Sequence, residues 1–344
     1  MHYFCNLQTL MDPWGNNFKP NQEFEKLSDS EQYLAILVTM ASSSSNIDLS
    51  GVTYCVLTGA SQGIGRAIAV EVSKLLGPNS LMLLLARNKD ELAKTARLCE
   101  SEKVKAIYEA IDLSKASAKE MNDVLERSLT GRNVSDFSAN VIFHNVGSLG
   151  NLSIDTARME DLEEFRKYYD LNVFNVILLN TQFLKIFEKQ EDRVVIVNIT
   201  SLCAIKPMSG MAYYCTGKAA REMYFRVLAE EKKHIKVLNY SPGPVETSMI
   251  DNILTVSVNK NLRDVFTSFK TQGQLLKTDT MMAGRKSLFI FLMGLAWKYR
   301  FSMPLLLSGT VAVLGRAWMF QIRVQTVHRL HENELLGCMS TFSP

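Results

Sequence analysis

From Val52 to about Tyr240, short runs rich in branched residues alternate with longer stretches of helical period. The runs TYCVL, LMLLLA, KAIYEAI, NVIFHN, VVIVNI and IKVLNY predict strands. Between them, GRAIAVEVSKLL, KDELAKTARLCE, AKEMNDVLERSL, the long MEDLEEFRKYYDLNVFNVILLNTQFLKIFEK and YYCTGKAAREMYFRVLAEEK predict helices. Strands that are apolar throughout and joined by helices predict an α/β fold, a doubly wound parallel sheet with helices on both faces.

The flanks have a different texture. Residues 1–50 mix Pro13, Trp14, Pro20 and several Asn, then end in MASSSSNIDLSG, which predicts a flexible extension, with Met40 as an alternative start. The first residues lack a basic start followed by a long apolar stretch, so they do not read as a secretory signal. After about Lys277, LFIFLMGLAW and FSMPLLLSGTVAVLG are apolar, but Lys298 and Arg300 separate them and Arg316 follows. Neither reaches the roughly 18–20 residues of a spanning helix, so a buried or interfacial segment is expected and two short tilted membrane segments are the alternative.

Composition narrows the function classes. The chain has 344 residues, 47% of them hydrophobic, and 38 basic side chains balance 35 acidic ones. That balance points to neither a nucleic-acid surface nor an acidic tail. Cys5, Cys55, Cys99, Cys203, Cys215 and Cys338 form no C-x-x-C pair, so no metal site and no disulfide framework is signalled, and a reducing, cytoplasmic setting fits.

The stretch TGASQGIG, Thr58 to Gly65, follows the first strand and opens a helix. Helix amides and dipole there would face an anion, and the glycines suit a tight turn, close approach of a pyrophosphate and helix–strand packing. A turn that binds nothing is the plain alternative. At the end of the second strand, LMLLLARN has no carboxylate for a ribose hydroxyl and offers Arg87 and Asn88 instead. A forked guanidinium suits a 2′-phosphate, which favours NADP(H), against a merely solvated strand-end charge.

Tyr214 and Lys218 in YCTGK are four apart and share a helix face. Ser201 ends the strand run VVIVNITS thirteen residues before the tyrosine. A phenol with its ordinary pKa near 10 needs a neighbouring cation to work at neutral pH, and Lys218 is placed to supply it while Ser201 holds a carbonyl oxygen. Tyr213 is out of frame, because Gly217 stands four residues on, and His144 reads as a packed or capping histidine.

The form T-G-x-x-x-G-I-G, with Ser201, Tyr214 and Lys218 in order, resembles the short-chain dehydrogenase/reductase family, whose sheet is Rossmann-type. The resemblance implies cofactor contacts from Gly59, Ala60, Ser61, Gln62, Gly63, Ile64 and Gly65, from Arg87, Asn88, Asp112 and Leu113, and from Asn145 and Gly147 of HNVGSLG. It implies further contacts from Tyr214 and Lys218, and from Val245, Glu246, Thr247, Ser248, Met249 and Ile250 after SPGPVET. Asn172 matches the asparagine that completes the family's proton relay by kinking its helix, and a buried asparagine satisfying backbone groups is the alternative.

Between motifs, NITSLCAIKPMSGMAYYCTGKAAREMYFRVLAEE and VLNYSPGPVETSM resemble the sepiapterin reductase branch of that family, from about Gly51 to Lys277. That branch implies a homodimeric cytoplasmic enzyme reducing side-chain carbonyls of pterins towards tetrahydrobiopterin, with Ser201, Leu202, Tyr214 and Gly243 bordering the substrate. Reduction of other small carbonyls or dicarbonyls, and a non-catalytic cofactor-binding or membrane-associated scaffold, are the alternatives. Gln62 stands where the branch has an arginine, and LLSGTVAVLG lacks the carboxylate that anchors the pterin ring. The implied organisation is an extension over 1–50, a catalytic domain over 51–280 and a divergent apolar tail over 281–344.

Overall fold

The computed structural model describes residues 49–278. Its strands are β1 (Thr53–Thr58), β2 (Ser80–Ala86), β3 (Val104–Ala110), β4 (Ala139–His144), β5 (Val194–Ile199) and β6 (Lys236–Tyr240). They form one six-stranded sheet in the order β3-β2-β1-β4-β5-β6, with every neighbour parallel. This is the expected doubly wound sheet. Its chain order reverses between β1 and β4, the position where such sheets open a crevice beyond their strand ends.

The helices are α1 (Gly63–Ser73), α2 (Lys89–Cys99), α3 (Ala118–Ser128), α4 (Leu162–Tyr169), α5 (Asn175–Ile186), α6 (Ala212–Glu231), α7 (Ser248–Val256) and α8 (Lys260–Thr271). Alternation along the strands divides the core between two faces. Cys55, Leu57, Met82 and Val141 pack with Ile68 and Val72 of α1 and Leu92 of α2. Tyr54, Val56, Leu83 and Ile142 face Met121 of α3, Phe183 of α5 and Phe225 of α6. A third cluster, with Leu149, Met211, Ile253 and Phe266, joins α7 and α8 to the loops beyond the strand ends.

Two expectations need correction. β3 is not apolar throughout: Lys105 and Tyr108 are exposed, and Glu109 pairs with Arg127 of α3. It is one of the two edge strands, and charges along such an edge discourage pairing with another chain. The long run from Met159 to Lys189 is not one regular helix either, because a π-helical turn, Asp170–Phe174, separates α4 from α5. There the Asn175 N–H donates to the Asp170 carbonyl, five residues back.

The expected extension, apart from residues 49 and 50, and the expected apolar tail with its LLSGTVAVLG run lie outside the described residues. Leu49 is buried against the domain, and its carbonyl accepts from the Gly77 N–H at 2.9 Å. Among the described residues, no helix is long and apolar enough to cross a membrane.

Phe183 seals the second face, stacked 6.3 Å from Tyr54 and tilted 4.9 Å from Phe187. Phe183→Ala is expected to cost about 3–5 kcal/mol in urea unfolding with little change in m-value. A loss below about 1 kcal/mol would show that α5 does not depend on this contact.

Candidate active site

A cleft of about 570 Å³ opens beyond the carboxyl ends of the strands, where the sheet order reverses. The glycine turn forms one side. A Cβ on Gly65 would lie 2.0 Å from the Gly59 carbonyl oxygen, so only glycine lets α1 start this close to β1. Gly63 has φ +53°, and a Cβ there would point at Thr247 across the cleft, 3.4 Å from its methyl group. The first amides of α1 have no side-chain cap from Gln62 and border this space.

The expected cofactor residues gather here with few exceptions. Gly59, Ser61, Gln62, Gly63, Ile64, Gly65, Arg87, Asn88, Asp112 and Leu113 line one half. Asn145, Gly147, Val245, Thr247, Ser248, Met249 and Ile250 line the rest of that wall. Ala60 and Glu246 do not line it. Ala60 is buried beneath the turn, where its carbonyl accepts from Thr95 Oγ1 at 2.9 Å, and Glu246 is exposed, its N–H donating to the Leu276 carbonyl.

Several of these side chains are already engaged. Asn88 caps α2 by accepting from the Glu91 N–H at 3.0 Å. Asn145 ties β4 to the turn, its Nδ2 donating to the Thr58 and Gly59 carbonyls at 3.1 and 3.3 Å. Asp112 accepts from the Ser114 hydroxyl and N–H at 2.7 and 3.0 Å, which holds its carboxyl below the usual range, and the Arg87 charge assists. Gln62 Nε2 reaches Ser248 Oγ at 3.5 Å across the cleft.

Beyond the nucleotide half, the chemistry-bearing residues meet. Ser201 and Tyr214 both line the cleft, and Ser201 favours the Tyr214 anion. Ser201 Oγ also accepts from the Cys203 N–H at 3.2 Å, capping the short 3-10 turn Leu202–Ala204. Lys218 lies one turn along α6, its Nζ 5.6 Å from the Tyr214 ring centroid and donating to the Ile199 carbonyl at 2.6 Å. Ser201, Leu202, Tyr214, Lys218 and Gly243 all line the cleft. Asn172 stands behind it: Oδ1 accepts from the Ser148 N–H at 2.8 Å, and Nδ2 donates to Ser148 Oγ and the Tyr168 carbonyl. A Cβ on Gly147 would sit 3.3 Å from Asn172 Oδ1 and 3.8 Å from Lys218 Nζ, so the three converge at one point.

The electrostatics differ from the expectation that Lys218 holds the phenol down. Burial pushes Tyr214 up to about 12, the Cys203 thiol adds to that, and the opposing influences are the Ser201 hydrogen bond and the charge of Arg221. Lys218 is itself driven well below its ordinary value, by burial first and then by the like charge of Arg221. Two cations this close inside the fold cannot both be favoured.

Arg221 is the residue the sequence motifs did not single out. It is 1% exposed, three residues beyond Lys218 on the same helix. Its Nε donates to Asn198 Oδ1 and its Nη1 to the Val146 carbonyl, both at 2.7 Å, and its Nη2 donates to the His144 carbonyl. The spacing of i+3 from Lys218 and i+7 from Tyr214 is the signal that placed it on the same face. Arg66 was also missed: its guanidinium donates to the Ser61 carbonyl and pairs with Glu91 at 2.5 Å, bracing the glycine turn.

Tyr213 turns away from the cleft. It is buried 5.2 Å from the Tyr168 ring, and its hydroxyl donates to Glu164 at 3.3 Å. His144 packs 5.2 Å from Phe225, with Nε2 3.1 Å from Asn180 Oδ1, as a packed histidine should.

A short chain dehydrogenase family model matches residues 53–256. The chain belongs to the short-chain dehydrogenase family. It is 34% identical to rat (Rattus norvegicus) sepiapterin reductase over 67% of this chain and 88% of that protein. It is 26% identical to a benzil reductase ((S)-benzoin forming) of Bacillus subtilis over 65% of this chain and 88% of that enzyme. Among solved structures, the KRED1-Pglu enzyme superposes with a TM-score of 0.59 at 24% identity, covering 69% of this chain and 94% of that one. The family and the resemblance read from the motifs are thereby established, as is the Rossmann-type fold.

His144 gives a pH test. Burial, and then the Arg221 charge, push it down to about 3, so below its ordinary value the unfolded chain takes up the proton first. Its stability contribution is complete above about pH 6.5 and is lost as pH falls towards 3. His144→Gln should flatten the decline of urea stability between about pH 6 and pH 4, and an unchanged slope would assign the decline to another group.

Proposed function

We propose that this short-chain reductase uses NADPH to reduce small-molecule carbonyls, with pterin side-chain carbonyls as its substrates. The observation that carries the reading is the gathering of Ser201, Tyr214 and Lys218 on the wall of the cleft that the glycine turn borders. The cleft suits a dinucleotide: glycines leave room beside the α1 amides, Thr247 faces them, and Arg87 offers a forked cation at the end of β2. When bound, NADPH supplies the hydride that reaches the carbonyl carbon.

The chain's own residues handle the oxygen. Ser201 donates to the carbonyl oxygen and Tyr214 delivers the proton. A phenol pushed up to about 12 stays protonated at neutral pH, ready to donate. The phenolate left behind is stabilised by Ser201 and by the charge of Arg221, and the Asn172–Ser148 contacts hold the strand end beside Lys218. Leu202 and Gly243 border the substrate.

A second reading, reduction of apolar dicarbonyls, is supported by the far wall. Leu149, Met208, Met211, Phe266 and Phe269 line it. The charged linings, Arg87, Asp112 and Lys218, lie on the nucleotide side or at the tyrosine. The reading extends to a cytoplasmic homodimer, supported by exposed Phe174, Leu178, Met223 and Val227 around α5 and α6 and by free thiols at Cys55, Cys99, Cys203 and Cys215.

NADPH oxidation measured with sepiapterin, diacetyl and benzil separates the readings. Turnover of sepiapterin is expected, turnover of the dicarbonyls alone would replace the first reading by the second, and silence on all three would favour a non-catalytic binder. Tyr214→Phe should lower kcat about a hundredfold or more, and an active variant would remove the proposed acid. Arg87→Asp should raise KM for NADPH about tenfold and improve use of NADH, whereas an unchanged ratio would move phosphate recognition elsewhere.

A further inference from the structure

On its face towards α6, β5 changes character as it nears the cleft. Val194 and Ile196 join the apolar cluster that holds Phe225, whereas Asn198 and Thr200, the next two positions of that alternating row, are buried polar side chains. Consecutive residues of α6 answer them. Arg221 Nε donates to Asn198 Oδ1 at 2.7 Å, and the Thr200 hydroxyl donates to Glu222 Oε2 at 2.8 Å. Both partners of the second bond are buried, Thr200 at 6% and Glu222 at 5% exposure. The bond thus ties the helix that carries Tyr214 to the strand end one residue short of Ser201.

Packing alone does not hold that end. A second, small cavity of about 10 Å³, room for one water, adjoins it and is lined by Thr200, Ser201, Glu222, Asn239 and Ser241 among others. Thr200 and Ser201 also line the cleft, so the strand end is a thin partition between two spaces. A partition with open space on both sides takes its position from its hydrogen bonds. The Thr200 N–H donates to the Tyr240 carbonyl at 2.8 Å, which fixes the backbone to β6, and the bond to Glu222 fixes it against α6.

We propose that Glu222 is a positioning residue for the reduction, setting where Ser201 stands relative to Tyr214 by way of the Thr200 hydroxyl; the role rests on the parts given above to Ser201 and Tyr214. Those two side chains must meet one carbonyl oxygen, so a shift of about an ångström between strand end and helix spoils both contacts at once. An ionised carboxyl group only accepts, which leaves the Thr200 hydroxyl a single sense in which to bond with it. Glu222 also stands four residues beyond Lys218 on the same helix face, where its charge favours the Lys218 ammonium. Position and charge are therefore separated by substitution.

The full chain is compared with Glu222→Gln, Glu222→Leu, Thr200→Val and the double variant Thr200→Val/Glu222→Leu. Turnover of sepiapterin, diacetyl and benzil, NADPH binding and urea unfolding are measured for each. Glu222→Leu and Thr200→Val should each lower kcat about tenfold while the Kd of NADPH stays within about twofold. Glu222→Gln keeps an oxygen for the Thr200 hydroxyl and should hold kcat within about threefold. The double variant decides, because two apolar partners leave no buried group unpaired: urea stability should return towards that of the unaltered chain while kcat stays about tenfold down. Recovery of kcat together with stability would reduce the bond to a fold contact and overturn the proposal. A Glu222→Gln variant as slow as Glu222→Leu would overturn it too, by moving the role to the charge beside Lys218. An unaltered chain silent on all three carbonyls refutes the assigned reduction and the role with it, whereas an active chain with undiminished turnover in Glu222→Leu refutes the role alone.

Discussion

The Thr58 hydroxyl sits where β1 and β4 part: it donates to the Phe143 carbonyl and accepts from the N–H groups of Asn145 and Val146, all within 3.1 Å. A parallel pair must separate at the reversal point of a doubly wound sheet, and separation there would leave buried amides unpaired. One side chain meets that need, and the Asn145 amide returns the favour to the Thr58 and Gly59 carbonyls. The glycine turn, the strand end that carries Gly147 and the opening between them take their spacing from this clasp. Cofactor wall and proton-transfer wall are thus fixed relative to each other by hydrogen bonds that no ligand has to make.

Arg221 performs the corresponding task on the other side. A guanidinium buried without a carboxylate among its hydrogen-bond partners is costly unless its donors are met, and here Asn198, Val146 and His144 supply neutral acceptors. Its uncompensated charge then acts on what surrounds it. Lys218 and His144 are pushed towards their neutral forms, while the Tyr214 anion is favoured. Burial is the larger cause for all three groups; this one cation adds to it at Lys218 and His144 and opposes it at Tyr214, giving the tyrosine part of what the sequence suggested Lys218 would provide.

Much of this was legible in the chain. Every strand run named from the hydrophobic pattern became a strand, because central parallel strands buried on both faces leave little choice of residue. The spacing of Tyr214 and Lys218 placed both on one helix face, and the glycine turn was readable because Gly65 has no substitute at that distance from Gly59. Less readable were features that depend on a partner far along the chain. Arg221 looks like an ordinary helix arginine until the ends of β4 and β5 surround it, and Arg66 is recognisable only once Glu91 arrives beside it. β3 misled for the opposite reason: its run is apolar enough for a central strand, yet its place at the edge exposes half of it.

The π-helical turn between α4 and α5 lets one continuous rod serve two layers. Ahead of it, Tyr168 looks towards Tyr213 and the start of α6. After it, Leu179 and Phe183 look into the sheet. An extra residue within a single turn rotates everything downstream by roughly a quarter-revolution, about 100° at 3.6 residues per turn. The length of this segment is therefore fixed as firmly as its buried side chains: removing one residue would turn the wrong stripe towards one of the two layers.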